Sequence, residues 1–194
     1  MTFVVRAGGW LFRQRSWLPL PLVAALLLIP APAGSAGASS WLAGALVVAL
    51  GESIRLWAVH HIGAISRTRS DRLGPLVATG PFAYVRNPLY LGNILLWAGF
   101  AVSAQLLWLA PIVIVLLALE YHAIVRWEER LLAERIGQPY ADYVATVPRW
   151  LPAPGARSAS SVATFSWRQT LFSERGTLIA IAAGFALLYL KLKT

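Results

Sequence analysis

From Asn87 to Leu119 the chain carries no charged residue, and between Arg15 and Arg55 it carries one, Glu52. Stretches of that length without charge suit one solvent, the hydrocarbon of a bilayer. Composition agrees, since 58% of the 194 residues are hydrophobic and 13% are charged, about half the charged share of a soluble domain. The expected fold class is an all-α integral membrane protein of about five transmembrane helices. Their apolar runs lie at residues 17–33, 41–60, 88–103, 106–125 and 177–190. Pro19, Pro21, Pro30 and Pro32 frame the first run at its ends, and Pro111 falls in the first turn of the fourth, where a missing N–H costs little. The last run is short for a span, with Lys191 and Lys193 placed to snorkel.

These runs divide the chain into three parts. Residues 1–40 form a basic segment and the first span. Residues 41–152 form a core of three spans and a cytosolic helix. Residues 153–194 hold a Gly/Pro/Ser linker at 153–161, an interfacial segment at 165–172 and the last span.

Charge sets the topology. Arg6, Arg13 and Arg15 precede the first run, Arg67, Arg69, Arg72 and Arg86 separate the second from the third, and seven more arginines follow the fourth. The connectors on the other side, residues 34–40 and 104–105, carry no charge. This asymmetry places the N-terminus, the 61–87 loop and the 127–175 segment in the cytosol, here of a bacterial cytoplasmic membrane. The net charge of +9 is thereby explained by topology, and no nucleic-acid partner is expected. The absence of cysteine removes thiol chemistry and cysteine metal sites. His60-His61 lacks a third ligand near in sequence, so no metal is expected.

Two motifs emerge on the cytosolic face. In the first, Asn87-Pro88 reads as an N-cap followed by proline at the first helical position, which sets the helix dipole beside the guanidinium of Arg86; taken alone this is either a capped helix start with Arg86 anchored to headgroups or a seat for a carboxylate. Tyr90 stands one turn further in, and Gly92 leaves room for another helix or a flat ligand. In the second, Glu128-Glu129 lies where the fourth span continues past the membrane surface, with Arg130 and Glu134 spaced to pair. The two glutamates point about 100° apart, so one faces a ligand squarely while the other reaches round its edge. A sulfonium cation or a ribose diol would suit such a pair. Within the spans, Glu52 and Arg55 are spaced as a neutralising pair, whereas Glu120, with His122 nearby, has no local partner and is open to a structural or a functional role.

The order of these pieces, from Arg55-Leu56-Trp57-Ala58 and Ile62-Gly63 through residues 76–92 to Glu128-Glu129-Arg130-Leu131-Leu132, Gly137, Tyr140, Tyr143 and 147–152, resembles the isoprenylcysteine carboxyl methyltransferase family, which is related to the membrane phospholipid N-methyltransferases. The resemblance covers about half of the chain. It implies an enzyme that binds S-adenosylmethionine in a cytosolic-face pocket and methylates a membrane lipid or lipidated substrate. The family's cofactor pattern falls on Arg86, Asn87, Pro88, Tyr90, Glu128 and Glu129, with Gly92 closing the segment. Its acceptor-side elements fall on Tyr140, Tyr143, Arg149 and Trp150. Asn87 stands where the eukaryotic pattern has histidine, and it cannot serve as a base.

The candidate catalytic residues are Arg149, Glu129 and Glu120. An ionised carboxylate acceptor needs no base and is held by Arg149 or Arg86. An amine acceptor, as in phospholipid N-methylation, must lose a proton to a group such as Glu120, Glu129 or His122. The reading from a different class is a non-enzymatic transporter or assembly factor, against which stands the gathering of polar residues at the cytosolic helix ends rather than at mid-membrane.

Overall fold

The computed structural model describes residues 2–32, 37–63, 76–152 and 165–193. Among them lie the helices α1 (Phe3–Gln14), α2 (Leu20–Leu28), α3 (Gly37–Ile62), α4 (Pro88–Ser103), α5 (Leu109–Ile136), α6 (Gln138–Thr146) and α7 (Trp167–Lys193), with a 3₁₀ turn at Gly80–Ala83 and no strand. α3, α5 and α7 are long and apolar enough to cross a membrane, and α4 is a shorter apolar helix. The chain is an all-α integral membrane protein. The linker at 153–161, the residues Arg67, Arg69 and Arg72, and the start of the 34–40 connector lie outside the described residues.

The expected bounds of α4 hold, and the fourth run becomes the 28-residue α5. At 1.5 Å per residue α5 is about 42 Å long, more than the roughly 30 Å of hydrocarbon, so its last turns project beyond the apolar layer. Gly137 ends it with φ +70°, a conformation open to glycine, and the chain turns directly into α6.

The first expected span is corrected, and the segments at the two ends of the chain prove more helical than the apolar runs alone mark. The run at 17–33 does not form a full span: α2 has nine residues, about 13 Å. Pro19 and Pro21 suit its start, whereas Pro30 and Pro32 follow it and offer no N–H with which to extend it. The basic segment before it is itself helical. α1 lies along α5, with Val5, Gly8 and Phe12 buried on one face and Phe12 set 4.8 Å from the Trp127 ring. Finally, the interfacial segment and the short last run are one helix, α7, of 27 residues. Ser166 starts it with a capping box, accepting from Gln169 N at 3.3 Å while its own N–H donates to Gln169 Oε1 at 2.9 Å.

α3 and α4 form the closest helix pair. Gly51 and Gly92 face each other there, and a Cβ on either would lie 2.7 Å from the other's carbonyl oxygen. This contact fixes the axial register of the two helices. At one end of the bundle the last turn of α3, the first turns of α4 and α7, the end of α5, and α6 come together. Phe165 N donates to His60 O at 2.8 Å, the His60 and Trp167 rings stack at 4.2 Å, and Arg86 N donates to Pro148 O at 2.9 Å.

Candidate functional site

The site grows from two backbone segments held side by side. Tyr143 on α6 donates from its hydroxyl to Phe82 O at 2.8 Å, a buried bond that anchors the 3₁₀ turn. Just beyond, the bond from Arg86 to Pro148 is joined by one from Asn87 Nδ2 to Arg149 O at 3.1 Å. Asn87 occupies the N-cap position of α4, but its side chain makes no capping bond and is spent on that brace. Pro88 follows at the first helical position and is fully buried.

This bracing brings two guanidinium groups to one carboxylate. Arg149 binds Glu129 through two bonds, Nε to Oε1 at 2.9 Å and Nη2 to Oε2 at 2.7 Å. Arg86 Nη1 lies 2.9 Å from Glu129 Oε1. The side chains of Arg86 and Glu129 are 10% and 15% exposed, so solvent screens the cluster weakly. The charge-assisted bond to Glu129 raises the Arg149 pKa above its ordinary value. The buried Nε of Arg86 has no acceptor among the described residues.

Glu128 serves a different partner. The Tyr90 hydroxyl donates to its Oε1 at 3.0 Å, the Tyr90 ring lies 4.7 Å from Tyr121, and Arg15 adds positive charge nearby. The 100° step along α5 thus aims one glutamate at the arginines and the other at α4. Tyr140 and Tyr143 pack together beside the cluster with Val147 and Ala78. Burial, reinforced by the Glu129 charge, pushes Tyr140 up to about 12, and burial also raises Tyr143. Both phenols therefore act as donors near neutral pH. Trp150 is half-buried against the main core.

Arg86, Asn87, Tyr90, Glu128, Glu129, Tyr140, Tyr143 and Arg149 are thus brought together. Glu120 is not: it lies nine residues before Glu129 on the same helix, about 13 Å along the axis. The space at Gly92 is filled by Gly51 and Arg55 of α3. Sequence reasoning passed over Arg15, whose only legible role was as one of several topogenic charges.

A second polar cluster lies deeper. Arg55 Nε is 3.4 Å from Glu52, as the spacing predicts, and Arg55 also donates to Asn93 Oδ1 at 2.5 Å, Glu174 Oε2 at 2.7 Å and Thr177 Oγ1 at 3.3 Å. Tyr121 joins through a hydrogen bond with Asn93.

The structure is a bundle of apolar helices with a buried ionic cluster at one end. The sequence profile described as phospholipid methyltransferase matches residues 39–138, and the chain belongs to that family of membrane methyltransferases. The match takes in Arg86 to Gly92 and the two glutamates, and stops before Tyr140, Tyr143, Arg149 and Trp150. The chain is also 28% identical over 150 residues to the nickel-cobalt-cadmium resistance protein NccN of Alcaligenes xylosoxydans xylosoxydans, covering 74% of this chain and 67% of that one. It is 30% identical over 109 residues to the cobalt-zinc-cadmium resistance protein CzcN of Cupriavidus metallidurans, covering 56% of this chain and 47% of that one. No solved structure matches significantly.

Proposed function

We propose that the protein is an S-adenosylmethionine-dependent methyltransferase that takes a lipid-like acceptor from the bilayer and works at the cytosolic face. The observation that carries this reading is the division of labour between Glu128 and Glu129: one is poised beside a tyrosine, and the other is clamped by two arginines, one of which has a buried N–H still lacking an acceptor. A cofactor with a carboxylate, a sulfonium and a ribose diol fits this donor set. Arg86 and Arg149 suit the carboxylate, and Glu128 suits the cation or the diol. When bound, that cofactor supplies a methyl group activated by its sulfonium.

The chain's own task is orientation, charge complementarity and exclusion of water. Tyr90 fixes the direction of Glu128. Buried Tyr140 stands beside both arginines. Asn87 holds the Arg149 backbone, and so positions its guanidinium. Both oxygens of Glu129 are already engaged by guanidinium groups, so an acceptor that reacts already ionised, such as an isoprenylcysteine-type carboxylate, asks least of these side chains. A phospholipid amine requires a proton acceptor elsewhere. The names of the two relatives concern metal resistance and do not identify a methyl acceptor.

The test is calorimetric titration of the purified protein with S-adenosylhomocysteine, followed by incubation of membranes with methyl-labelled cofactor and extraction of the lipids. Binding that is lost in Arg86→Ala, together with label in the lipid fraction, supports the proposal. A folded protein that neither binds nor transfers label would return the chain to the transporter or assembly-factor class.

A further inference from the structure

One turn of α4 beyond Tyr90, a cavity of about 520 Å³ lies between α2, α4 and α7. Leu26, Trp97, Phe100, Ile181 and Leu188 line its body, and Asn93 stands at one end. Its size is that of a small-molecule site. Along α7 the wall runs from Thr177 to Leu188, a rise of about 16 Å. A space of this volume and length has a mean width of about 6 Å, which takes one hydrocarbon chain, whereas two side by side need about 8 Å at ordinary carbon contact distances. Glycine keeps the space open, since a Cβ at Gly184 would lie 3.0 Å from the Phe100 ring.

The cavity is continuous with the functional site through Asn93. This side chain accepts from Arg55 at 2.5 Å and bonds to the Tyr121 hydroxyl. The Tyr121 ring lies 4.7 Å from Tyr90, which donates to Glu128. Tyr90, Asn93, Trp97 and Phe100 succeed one another at helical spacing on one side of α4, so a chain lying against Trp97 and Phe100 carries its head toward the Glu128 wall. Asn93 and Tyr90 are about 4.5 Å apart along the axis. In a bilayer such a chain is already in hydrocarbon, so leaving water contributes nothing to its binding. What the cavity adds is wall contact on every side, which rewards a matching width. The walls from α2 and α7 lie outside residues 39–138, so the segment matched by the family profile does not form this space alone.

We propose that this cavity holds the hydrocarbon chain of a single-chain methyl acceptor, with α2 and α7 setting the width that is admitted and Asn93 marking where the head turns toward the site. Chain binding follows from the cavity. That the chain belongs to the acceptor rests on the methyltransferase reading above. The chain is selected here and the head at the arginines and glutamates of the site, so an ionised carboxylate head is compatible with this placement.

The experiment uses the full chain in lipid nanodiscs and two photoprobes with a diazirine near the end of the same alkyl chain: a single-chain carboxylate, and a diacyl phospholipid that carries this chain once. Labelled peptides are mapped by mass spectrometry. The single-chain probe should label α4 from Leu96 to Phe100 and α7 from Ala180 to Leu188 about tenfold more than the phospholipid probe, a preference of about 1.4 kcal/mol. Both should label the exposed residues Ile112, Leu116 and Leu119 of α5 alike, as ordinary bilayer contacts. Gly184→Leu should cut the cavity labelling about tenfold and leave that of α5 unchanged. Ala180→Leu, at an exposed position of the cavity wall, takes its place if Gly184→Leu loses its helical circular dichroism. Transfer of labelled methyl groups to membrane lipids should fall with the filling, while S-adenosylhomocysteine binding stays as in the unaltered protein. Equal cavity labelling by the two probes, cavity labelling that survives the filling, or methyl transfer unchanged by it would each overturn the proposal. Cavity labelling as expected in a protein that binds no S-adenosylhomocysteine would support the chain site and strike only the enzyme reading.

Discussion

Glu129→Gln is the change that most directly tests how the site is held. It keeps the size of the side chain but removes the charge that lies 2.9 and 2.7 Å from Arg149 nitrogens and 2.9 Å from Arg86. At an effective dielectric of about 20, unit charges about 4 Å apart attract by about 4 kcal/mol. Two guanidinium groups double that. Their mutual repulsion and the cost of desolvating the carboxylate offset several kcal/mol, which leaves a net loss of about 3 kcal/mol when the charge is removed. The loss should be nearly independent of salt, because the pair is mostly buried. Reversible unfolding in mixed micelles, followed by circular dichroism, reads it. A companion Arg86→Met in the same background relieves the unbalanced positive charge, so the double variant should be more stable than the sum of the singles by about 2 kcal/mol. A single-variant loss below about 0.5 kcal/mol, or strict additivity, would refute the account of Glu129 as the centre of the cluster.

Further outcomes follow from other contacts. Tyr140 ionises at about 12 in the folded protein against 10.0 ordinarily, so its stabilising contribution is complete below pH 10 and is lost as pH rises toward about 12. Tyr140→Phe should remove that part of the alkaline loss, as measured by thermal unfolding across this range. Tyr143→Phe leaves the Phe82 carbonyl short of a donor and should cost about 1–3 kcal/mol. Limited proteolysis should then become faster in the 80–88 segment than elsewhere. Gly92→Val places a branched side chain against the Gly51 carbonyl and should destabilise the fold by at least about 3 kcal/mol, while Gly137→Ala, strained only by its backbone conformation of φ +70° and ψ −133°, should cost about 1–3 kcal/mol.

How far the sequence disclosed this architecture depended on the distance over which each residue acts. The charge-free stretch from Asn87 to Leu119 announced α4 and the body of α5, and Asn87-Pro88 marked the first turn of α4. Glu52 and Arg55, three residues apart, were legible as a pair because the helix period alone brings them together. Glu174 was not, since 119 residues separate it from Arg55 and only packing of α7 on α3 joins them. The first half of α7 read as interfacial because Arg168, Glu174 and Arg175 dilute its apolar pattern. Its capping box at Ser166 and Gln169 was the local signal of a helix start. Within the site, the residue types at 86, 128, 129 and 149 could be read from the chain, but the clamp of both arginines on Glu129 could not. It depends on the bond from Arg86 to Pro148, which links segments remote in sequence.

Asn87 shows why a residue's type is not yet its role. A histidine at this place in the pattern invites a general base, and asparagine cannot be one near neutral pH. Its amide instead donates to the Arg149 carbonyl, which makes it a positioning residue for that arginine. Asn87→Ala should therefore weaken S-adenosylhomocysteine binding by roughly fivefold, the worth of one hydrogen bond of about 1 kcal/mol. Asn87→His, whose ring N–H can reach a similar acceptor, should restore part of that affinity. Neither change should alter the shape of the pH profile of methyl transfer, because no titrating group is removed by the first and none is required by the second. A pH profile that loses a limb in Asn87→Ala would show instead that the amide governs the ionisation of a neighbouring group, and the bracing role would have to be abandoned.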